Sequence, residues 1–261
     1  MEKEKITFSF GKNWYKFLST VDEKAINSAI ADVDRLIEKE KIKGKNIIDI
    51  GSGSGIHSLS FYKIGAASLF SFDYDKFSVK ATKYFWEKEG KPENWKITEG
   101  SILDEKFVNN LGQFDIVYSW GVLHHTGNMW EAIKNASTLV KPNGLFLLSL
   151  YQGVDTYERD LKIKTKYNES SFFGKKLMEL QWIIDIMKYR KKMSLNPLAW
   201  NEKRERGMNV YYDIKDWLGG LPYEVSSDKQ ILDFLTPKGF ELVKKDMKAA
   251  CGVYLFEKVG N

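Results

Sequence analysis

The sequence of 261 residues predicts an α/β fold: a doubly wound, mostly parallel sheet of seven strands, with a largely helical insertion after the fifth strand. Two observations support this prediction. Between residues 46 and 151, short apolar runs alternate with longer amphipathic ones, as expected where helices connect parallel strands. After residue 227, a helical pattern precedes two β-like runs separated by a short link, which predicts an antiparallel last strand.

The predicted strands are short and rich in apolar residues. In chain order they are Asn46–Ile50, Ser68–Asp73, Trp95–Glu99, Phe114–Ser119, Leu145–Leu150, Phe240–Lys245 and Gly252–Lys258. Helices are predicted to begin near Ile56, Lys76 and Met129. The last of these is expected to end at Lys141-Pro142-Asn143-Gly144, where proline and glycine supply a stop signal.

Further helices are predicted on either side of this pattern. Asp22–Lys41 has a plausible N-cap in Asp22 and one apolar face. Phe172–Met193 is an amphipathic stretch inside the insertion, and Asp228–Leu235 precedes the turn Thr236–Gly239.

The positive charge is concentrated in the insertion. The chain has a net charge of +5, and residues 159–206 hold 13 Lys+Arg against 6 Asp+Glu, so the rest is slightly acidic. An apolar fraction of 43% excludes a disordered chain. A single cysteine excludes an internal disulfide and favours a reducing compartment. The charged first residues and the lack of a long apolar run predict a cytoplasmic protein without membrane insertion.

The segment Ile47–Gly55 predicts a cofactor site at the end of the first strand. Gly51, Gly53 and Gly55 remove side chains where the chain turns into a helix, so a ligand can lie against bare backbone amides. A turn that merely connects the two elements is the structural alternative. A nicotinamide or flavin fingerprint would place its last glycine where this chain has Ile56.

An acidic residue ends the second predicted strand. Asp73 lies 22 positions after Gly51, the spacing typical of a carboxylate that accepts hydrogen bonds from both hydroxyls of an adenosine ribose. Asp75 is instead predicted to cap the helix that begins at Lys76.

Together these motifs resemble those of the class I S-adenosylmethionine-dependent methyltransferases. Asp49–Gly55 resembles their glycine-rich first motif and Asp73 their ribose-binding acid. Phe114–Ser119 resembles their fourth strand, and Trp120–Thr126 the segment that follows it. Val140–Gly144 resembles the approach to the fifth strand, and the final pair resembles the reversed seventh strand of that Rossmann-like fold.

The resemblance implies S-adenosylmethionine as the cofactor. The residues it assigns to cofactor binding are Trp14, Asp49, Gly51, Ser52, Gly53, Gly55, Asp73, Tyr74, Ser101, Ile102 and Trp120. Many members have an aspartate where this chain has Ser101, whose hydroxyl can still meet the adenine amino group. The segments Phe8–Leu18 and Arg206–Val225 also resemble a bacterial subgroup of small-molecule methyltransferases.

Transfer to an oxygen acceptor needs a base beside the aligned reactants. His124 and His125 are candidates because they follow a central strand at its carboxyl end. Local packing is the favoured interpretation for His124, whereas packing and catalysis stay open for His125. Tyr15 is the third catalytic candidate. With Phe10 and Trp14 it belongs to a segment that either closes over the cofactor as a lid or packs on the core.

Aromatic and basic residues are candidates for the acceptor site. Tyr151, Tyr211 and Tyr212 offer an apolar wall with a hydroxyl, and Arg204 and Arg206 can hold a phosphate or carboxylate. A solvated charge run is the alternative for the two arginines. No metal-ligand spacing is found, so a metal-independent reaction is predicted.

The sequence therefore predicts an O-methyltransferase in a single domain, residues 1–261. Its parts are an N-terminal lid and helix (1–45), a cofactor-binding core (46–151), a helical acceptor-binding insertion (152–226) and a C-terminal helix with a strand pair (227–261). The expected acceptor is a small, polar, anionic metabolite, phosphorylated or sugar-containing, such as a surface-glycan or secondary-metabolite precursor. An RNA methyltransferase using the basic insertion and a non-catalytic nucleotide-binding module are the alternatives.

Overall fold

Seven strands form one sheet in a computed structural model that describes residues 10–11, 18, 21–201, 210–248 and 251–260. They are β1 (Asn46–Ile50), β2 (Ser68–Asp73), β3 (Trp95–Glu99), β4 (Phe114–Trp120), β5 (Val140–Tyr151), β6 (Phe240–Lys248) and β7 (Cys251–Lys258). Their order in the sheet is β3-β2-β1-β4-β5-β7-β6. The first five pair in parallel, and β7 is antiparallel to both β5 and β6. The predicted fold class is confirmed.

Helices connect these strands and form the insertion. In the same ranges they are α1 (Glu23–Leu36), α2 (Lys39–Ile42), α3 (Ile56–Ile64), α4 (Lys76–Lys88), α5 (Glu105–Asn109), α6 (Met129–Thr138), α7 (Tyr157–Glu169), α8 (Phe172–Lys192), α9 (Val210–Gly219) and α10 (Asp228–Leu235). The starts predicted at Ile56, Lys76 and Met129 are confirmed, as is Asp228–Leu235. The short α5 was not predicted.

The first predicted helix is broken in the structure. Asp22 caps α1 by accepting a 2.8 Å hydrogen bond from the Ala25 amide, as expected. The prediction that the helix continues to Lys41 is wrong, because Ile37 adopts an extended backbone that separates α1 from α2. One straight helix would place Ile37 and Ile42 about 140° apart around its axis. The break lets both side chains reach the core.

The expected stop at Lys141–Gly144 is also wrong. The helix α6 ends at Thr138, and β5 already begins at Val140. The register against β4 then jumps from Phe114 opposite Val140 to Ile116 opposite Leu145. This irregularity in the pairing includes Asn143, which has a φ of 59°. It accommodates Pro142 and Gly144 within the strand, so the strand does not end there.

Each face of the sheet is covered by helices, and the insertion has a core of its own. Alternate β1 residues divide between the faces: Ile48 packs in the cluster that includes α6 and α10, and Ile47 packs in the one that includes α1, α3 and α4. A third cluster joins α7, α8 and α9 through Tyr167, Ile214 and Leu218. None of the helices in the described ranges has the length and apolar content that crossing a bilayer requires.

Candidate active site

The glycine-rich loop between β1 and α3 is shaped by close packing. Gly51 and Gly55 have φ angles of 74° and 80°. A Cβ on Gly51 would lie 2.4 Å from a methyl carbon of Val122, and one on Gly55 would lie 2.6 Å from the Thr82 Cα. Both positions therefore need glycine for conformation and for space.

The amides of this loop hold it to the sheet. Those of Gly51 and Ser52 donate to the Phe72 carbonyl at 2.8 and 3.1 Å. The Gly53 amide donates to Asp73, and the Gly55 amide to the Ser52 carbonyl. The expectation that a ligand lies against bare amides of Gly51, Gly53 and Gly55 is wrong, because the turn itself uses these amides. The missing Cβ atoms of Gly51 and Gly55 make room for Val122 and Thr82.

Two carboxylates lie beside the loop. Asp49 is buried in β1 and accepts a 2.5 Å hydrogen bond from the Ser58 hydroxyl. Asp73 ends β2, and its two oxygens accept from the amides of Gly53 and Asp75 at 2.9 and 2.8 Å. Loss of hydration raises the pKa of Asp49 to about 7 and that of Asp73 to about 6.

Asp73 keeps only part of the acceptor capacity that the sequence assigned to it. A carboxylate offers about four lone-pair positions; the two amides occupy one on each oxygen, and the Ser78 hydroxyl makes a third hydrogen bond. A ribose diol that donates twice would therefore take the open position and replace the Ser78 hydroxyl. Asp75, as expected, caps α4 by accepting from the Phe77 amide at 2.8 Å.

The other predicted cofactor residues lie near the carboxyl ends of β2, β3 and β4. Ser101 accepts a 3.2 Å hydrogen bond from the Leu103 amide, so its hydroxyl proton remains to be donated. Ile102 is buried, whereas Tyr74 is 64% exposed. Trp120 ends β4, and its ring lies 5.9 Å from that of His57. Their roles toward the cofactor stay predictions.

His125 is held in one tautomer. Its Nδ1 lies 2.7 Å from the Pro222 carbonyl oxygen. Because a carbonyl only accepts, Nδ1 carries the proton and Nε2 carries the lone pair. Loss of hydration, together with the charge of Lys164, lowers the pKa of His125 to about 3. The ring is therefore neutral near pH 7, with Nε2 as its basic atom.

His124 occupies a packed position next to it. It is 1% exposed, and its ring centroid lies 4.2 Å from that of Tyr151 and 4.3 Å from that of His125. Neither ring nitrogen has a hydrogen-bond partner among the described residues. Burial lowers its pKa well below the ordinary value. This environment suits the packing interpretation, and a catalytic role stays a prediction.

Tyr151 meets both histidines, as its predicted place in the acceptor site requires. Its ring lies 5.4 Å from that of His125 and 5.5 Å from that of Tyr223. Tyr223 in turn stacks on Tyr157 at 5.7 Å. Loss of hydration raises the pKa of the Tyr151 and Tyr223 hydroxyls, so both remain hydrogen-bond donors at neutral pH.

The described part of the N-terminal segment contacts both halves of the site. The Phe10 ring lies 5.0 Å from that of His125, and the Gly11 amide donates to Asp75 at 3.1 Å. Gly11 is buried, and a Cβ there would lie 2.6 Å from the Asp75 carboxyl carbon. These contacts suit a lid and a packed segment equally. Four predicted site residues lie outside the described residues: Trp14, Tyr15, Arg204 and Arg206.

The remaining acceptor candidates lie at the contact between α8 and α9. The Tyr211 hydroxyl donates to Glu179 at 2.6 Å and accepts from Lys176 at 2.5 Å. The Tyr212 ring lies 6.2 Å from that of Tyr211. Tyr211 thus joins two helices of the insertion through its hydroxyl. Contact of either tyrosine with an acceptor stays a prediction.

Sequence reasoning missed a buried lysine near the histidines. Lys164 is fully buried, and its ammonium donates to the Trp217 carbonyl. It lies 4.4 Å from the Trp217 ring centroid and 4.6 Å from that of Tyr223. Loss of hydration lowers its pKa to about 7, while Asp160 and Asp216 act in the opposite direction. The spacing of Asp160, Lys164 and Tyr167 places them on one face of α7, but no local pattern in the sequence marks that face as buried.

No group of three or more His, Cys, Asp or Glu side chains in the described ranges could hold a metal ion.

Comparison with known proteins identifies the class. A family model described as "Methyltransferase domain" matches residues 21–212, most of the chain. The chain therefore belongs to this methyltransferase family, and it is a class I S-adenosylmethionine-dependent methyltransferase.

Relatives and solved structures agree with this assignment. The chain is 34% identical over 129 residues to a ubiquinone biosynthesis O-methyltransferase of Colwellia psychrerythraea, covering 46% of this chain and 50% of the relative. It is 30% identical over 115 residues to a ribosomal protein L11 methyltransferase of Macrococcus caseolyticus, covering 44% and 35%. The chain thus spans half or less of the length of these two relatives.

One structural match extends over nearly the whole chain. Magnesium protoporphyrin IX methyltransferase from Synechocystis PCC 6803 with bound SAH has a TM-score of 0.58 at 14% identity, covering 96% of this chain and 95% of that one. At this identity the likeness shows the fold alone.

The site residues fit S-adenosylmethionine. The molecule carries a positive sulfonium, a positive amino group and a ribose diol, and Asp49 and Asp73 lie at the end of the two adjacent strands β1 and β2. Loss of hydration raises the pKa of both carboxylates, and a cation bound beside them would favour their ionised forms. Asp73 would hold the ribose, and Ser101 the adenine.

Cofactor binding is expected to tighten as the pH rises. We expect the cofactor to bind the ionised forms of Asp49 and Asp73, whose pKa values in the free protein are about 7 and about 6. Binding must therefore release protons, and the Kd for S-adenosylmethionine should fall as the pH rises through this range and level off above it. Titration calorimetry in buffers of different ionisation heat measures the proton release. A Kd that is flat across this range would contradict the expectation.

Proposed function

We propose that this protein is an O-methyltransferase acting on a small polar acceptor that carries a negative charge, with His125 as the general base. The observation that carries the proposal is the hydrogen bond from His125 Nδ1 to the Pro222 carbonyl, which leaves Nε2 unprotonated. This nitrogen is free to accept a hydroxyl proton, and an anionic acceptor beside it would raise the His125 pKa from its low value in the free protein toward the range that suits a base. An amine acceptor can lose its proton to the solvent before it binds. Its nitrogen then has a free lone pair and needs no comparable base.

The residues around His125 have complementary tasks in this proposal. When bound, S-adenosylmethionine supplies an electrophilic methyl group. His125 Nε2 accepts the proton that an acceptor hydroxyl gives up, and the Pro222 carbonyl stabilises the imidazolium that results. Tyr151 supplies an apolar wall next to it. Phe10, packed on the His125 ring, helps to exclude water.

The acceptor class rests on charge and on the relatives. The basic excess lies in residues 159–206, and the Lys164 amino group, which carries part of a positive charge at its pKa of about 7, lies 5.6 Å from the centre of the Tyr151 ring. The relative from Colwellia psychrerythraea is an O-methyltransferase by name. We further propose that the reaction needs no metal, that residues 152–226 bind the acceptor, and that the protein works in a reducing compartment such as the cytoplasm, since the sequence holds a single cysteine.

Methylation assays on defined acceptor classes test this proposal. The full chain is incubated with methyl-labelled S-adenosylmethionine and with sets of phenols, hydroxy acids, sugars and sugar phosphates, with and without a chelator. We expect an O-methylated product from an anionic set, at a rate that the chelator leaves unchanged. Label found only on nitrogen, on ribosomal protein or on RNA would overturn the proposal, and loss of the rate with chelator would overturn its metal-independent part.

A further inference from the structure

A stripe of large apolar side chains runs along the exposed side of α8. Its members are Phe173, Leu177, Leu180 and Ile184, which are 78%, 68%, 50% and 37% exposed. Their spacing of four, three and four residues places them on one face of the helix over three turns. Soluble proteins rarely expose a contiguous apolar patch of this kind without a partner for it.

The orientation of α8 is fixed by its opposite face. Trp182 and Ile186 pack into the core of the insertion, where the Trp182 ring lies 4.4 Å from that of Trp217. Glu179 is buried and accepts hydrogen bonds from Tyr167 and Tyr211. Since the inner face is anchored in this way, the helix cannot turn the stripe inward. The apolar stripe is a permanent part of the surface.

Basic residues border the apolar stripe. The helix α8 carries six lysines and arginines and only two acids, Glu179 and Asp185. Lys176 and Lys188 flank the stripe on either side and are 43% and 70% exposed. Its last three residues, Arg190, Lys191 and Lys192, are basic. More exposed apolar side chains follow the helix: Met193, Leu195 and Leu198.

We infer that this face of α8 docks on the surface of a bilayer containing anionic lipids. A helix with an apolar stripe between lysines lies in the interface with the apolar side chains among the acyl chains and the ammonium groups among the headgroups. A second copy of this chain fits less well, because two such faces would bring like charges together. RNA fits less well too, because three of the four stripe residues are aliphatic and only Phe173 offers a ring on which a base could stack.

Vesicle sedimentation with the full chain tests the inference. The probes are vesicles of phosphatidylcholine alone and of phosphatidylcholine mixed with phosphatidylglycerol. We expect binding to the mixed vesicles only, weakened by salt. The double variant L177S/I184S should lose about tenfold or more in affinity. The double variant K188Q/K191Q should lose about fivefold for each lysine.

Matched controls lie elsewhere on the surface. V243S removes an apolar side chain of similar exposure from the edge strand β6, and K106Q removes an exposed lysine from α5. Both should bind vesicles like the wild type. All variants should keep the wild-type circular dichroism, because the altered side chains are exposed.

Three results would overturn the inference. The first is the absence of binding to mixed vesicles, and the second is equal loss in the control variants. The third is a different occupant: a dimer in sedimentation velocity that L177S/I184S dissociates, or retention of single-stranded RNA that K188Q/K191Q abolishes while L177S/I184S preserves it.

Discussion

Replacing His125 with asparagine is expected to lower kcat by about 10²- to 10⁴-fold, the usual contribution of a positioned general base. The asparagine amide can still donate to the Pro222 carbonyl, which His125 Nδ1 contacts at 2.7 Å, but it has no atom in the place of Nε2. The substitution thus removes the base and keeps the anchor. Affinity for S-adenosylmethionine, measured by calorimetry, should stay unchanged.

The pH dependence of kcat/KM, which reports the pKa values of the free protein, gives a second check on His125. Because its pKa is lowered to about 3, the ring is neutral at every pH in the physiological range. No acid limb of the rate should therefore arise from this residue between about pH 5 and pH 8. A limb near 6.5 that disappears in His125→Asn would contradict the environment described for the ring. A kcat of His125→Asn close to the wild-type value would remove the residue as base.

The strands were predictable because parallel strands buried on both faces read as continuous apolar runs. The bounds of β1, β2 and β3 match the sequence prediction, and those of β4 and β5 extend it by a few residues. The role of a side chain was predictable where a contact with a near neighbour in the chain decides it, as with Asp75, which caps α4. Such positions depend on their neighbours in the chain and little on the rest of the fold.

The features that the sequence did not predict depend on contacts between distant residues. The amides of Gly51 and Ser52 are taken by Phe72, a residue of the next strand. The burial of Lys164 depends on α9, since Trp217 supplies both its carbonyl acceptor and a ring. Neither the loop glycines nor the charges of α7 carry a local signal for these contacts. A lysine in an amphipathic helix is ordinarily solvated.

Asp73→Asn should weaken the binding of S-adenosylmethionine by about 10²- to 10⁴-fold. Hydrogen bonds to a charged group contribute about 1.5–3 kcal/mol each, and the carboxylate is expected to accept two from the ribose. An asparagine keeps the size of the side chain but offers one acceptor oxygen instead of two. Titration calorimetry at a pH above the Asp73 pKa, which is about 6, measures the change with the wild-type carboxylate ionised.

Asp75→Asn is the matched control, because it removes a charge two residues further on. Asparagine can still cap α4 by accepting from Phe77, but it turns an NH2 group toward the Gly11 amide, so this variant should lower the Tm slightly by losing the Gly11 contact while leaving the Kd within a few-fold of the wild type. Asp73 also holds the amides of Gly53 and Asp75, and its loss therefore loosens the loop as well. If both variants weakened cofactor binding equally, the loss in Asp73→Asn would come from the altered loop structure and not from a lost contact with the ribose. A tenfold or larger gap between their Kd values, at comparable Tm, assigns the difference to direct contact with the ribose.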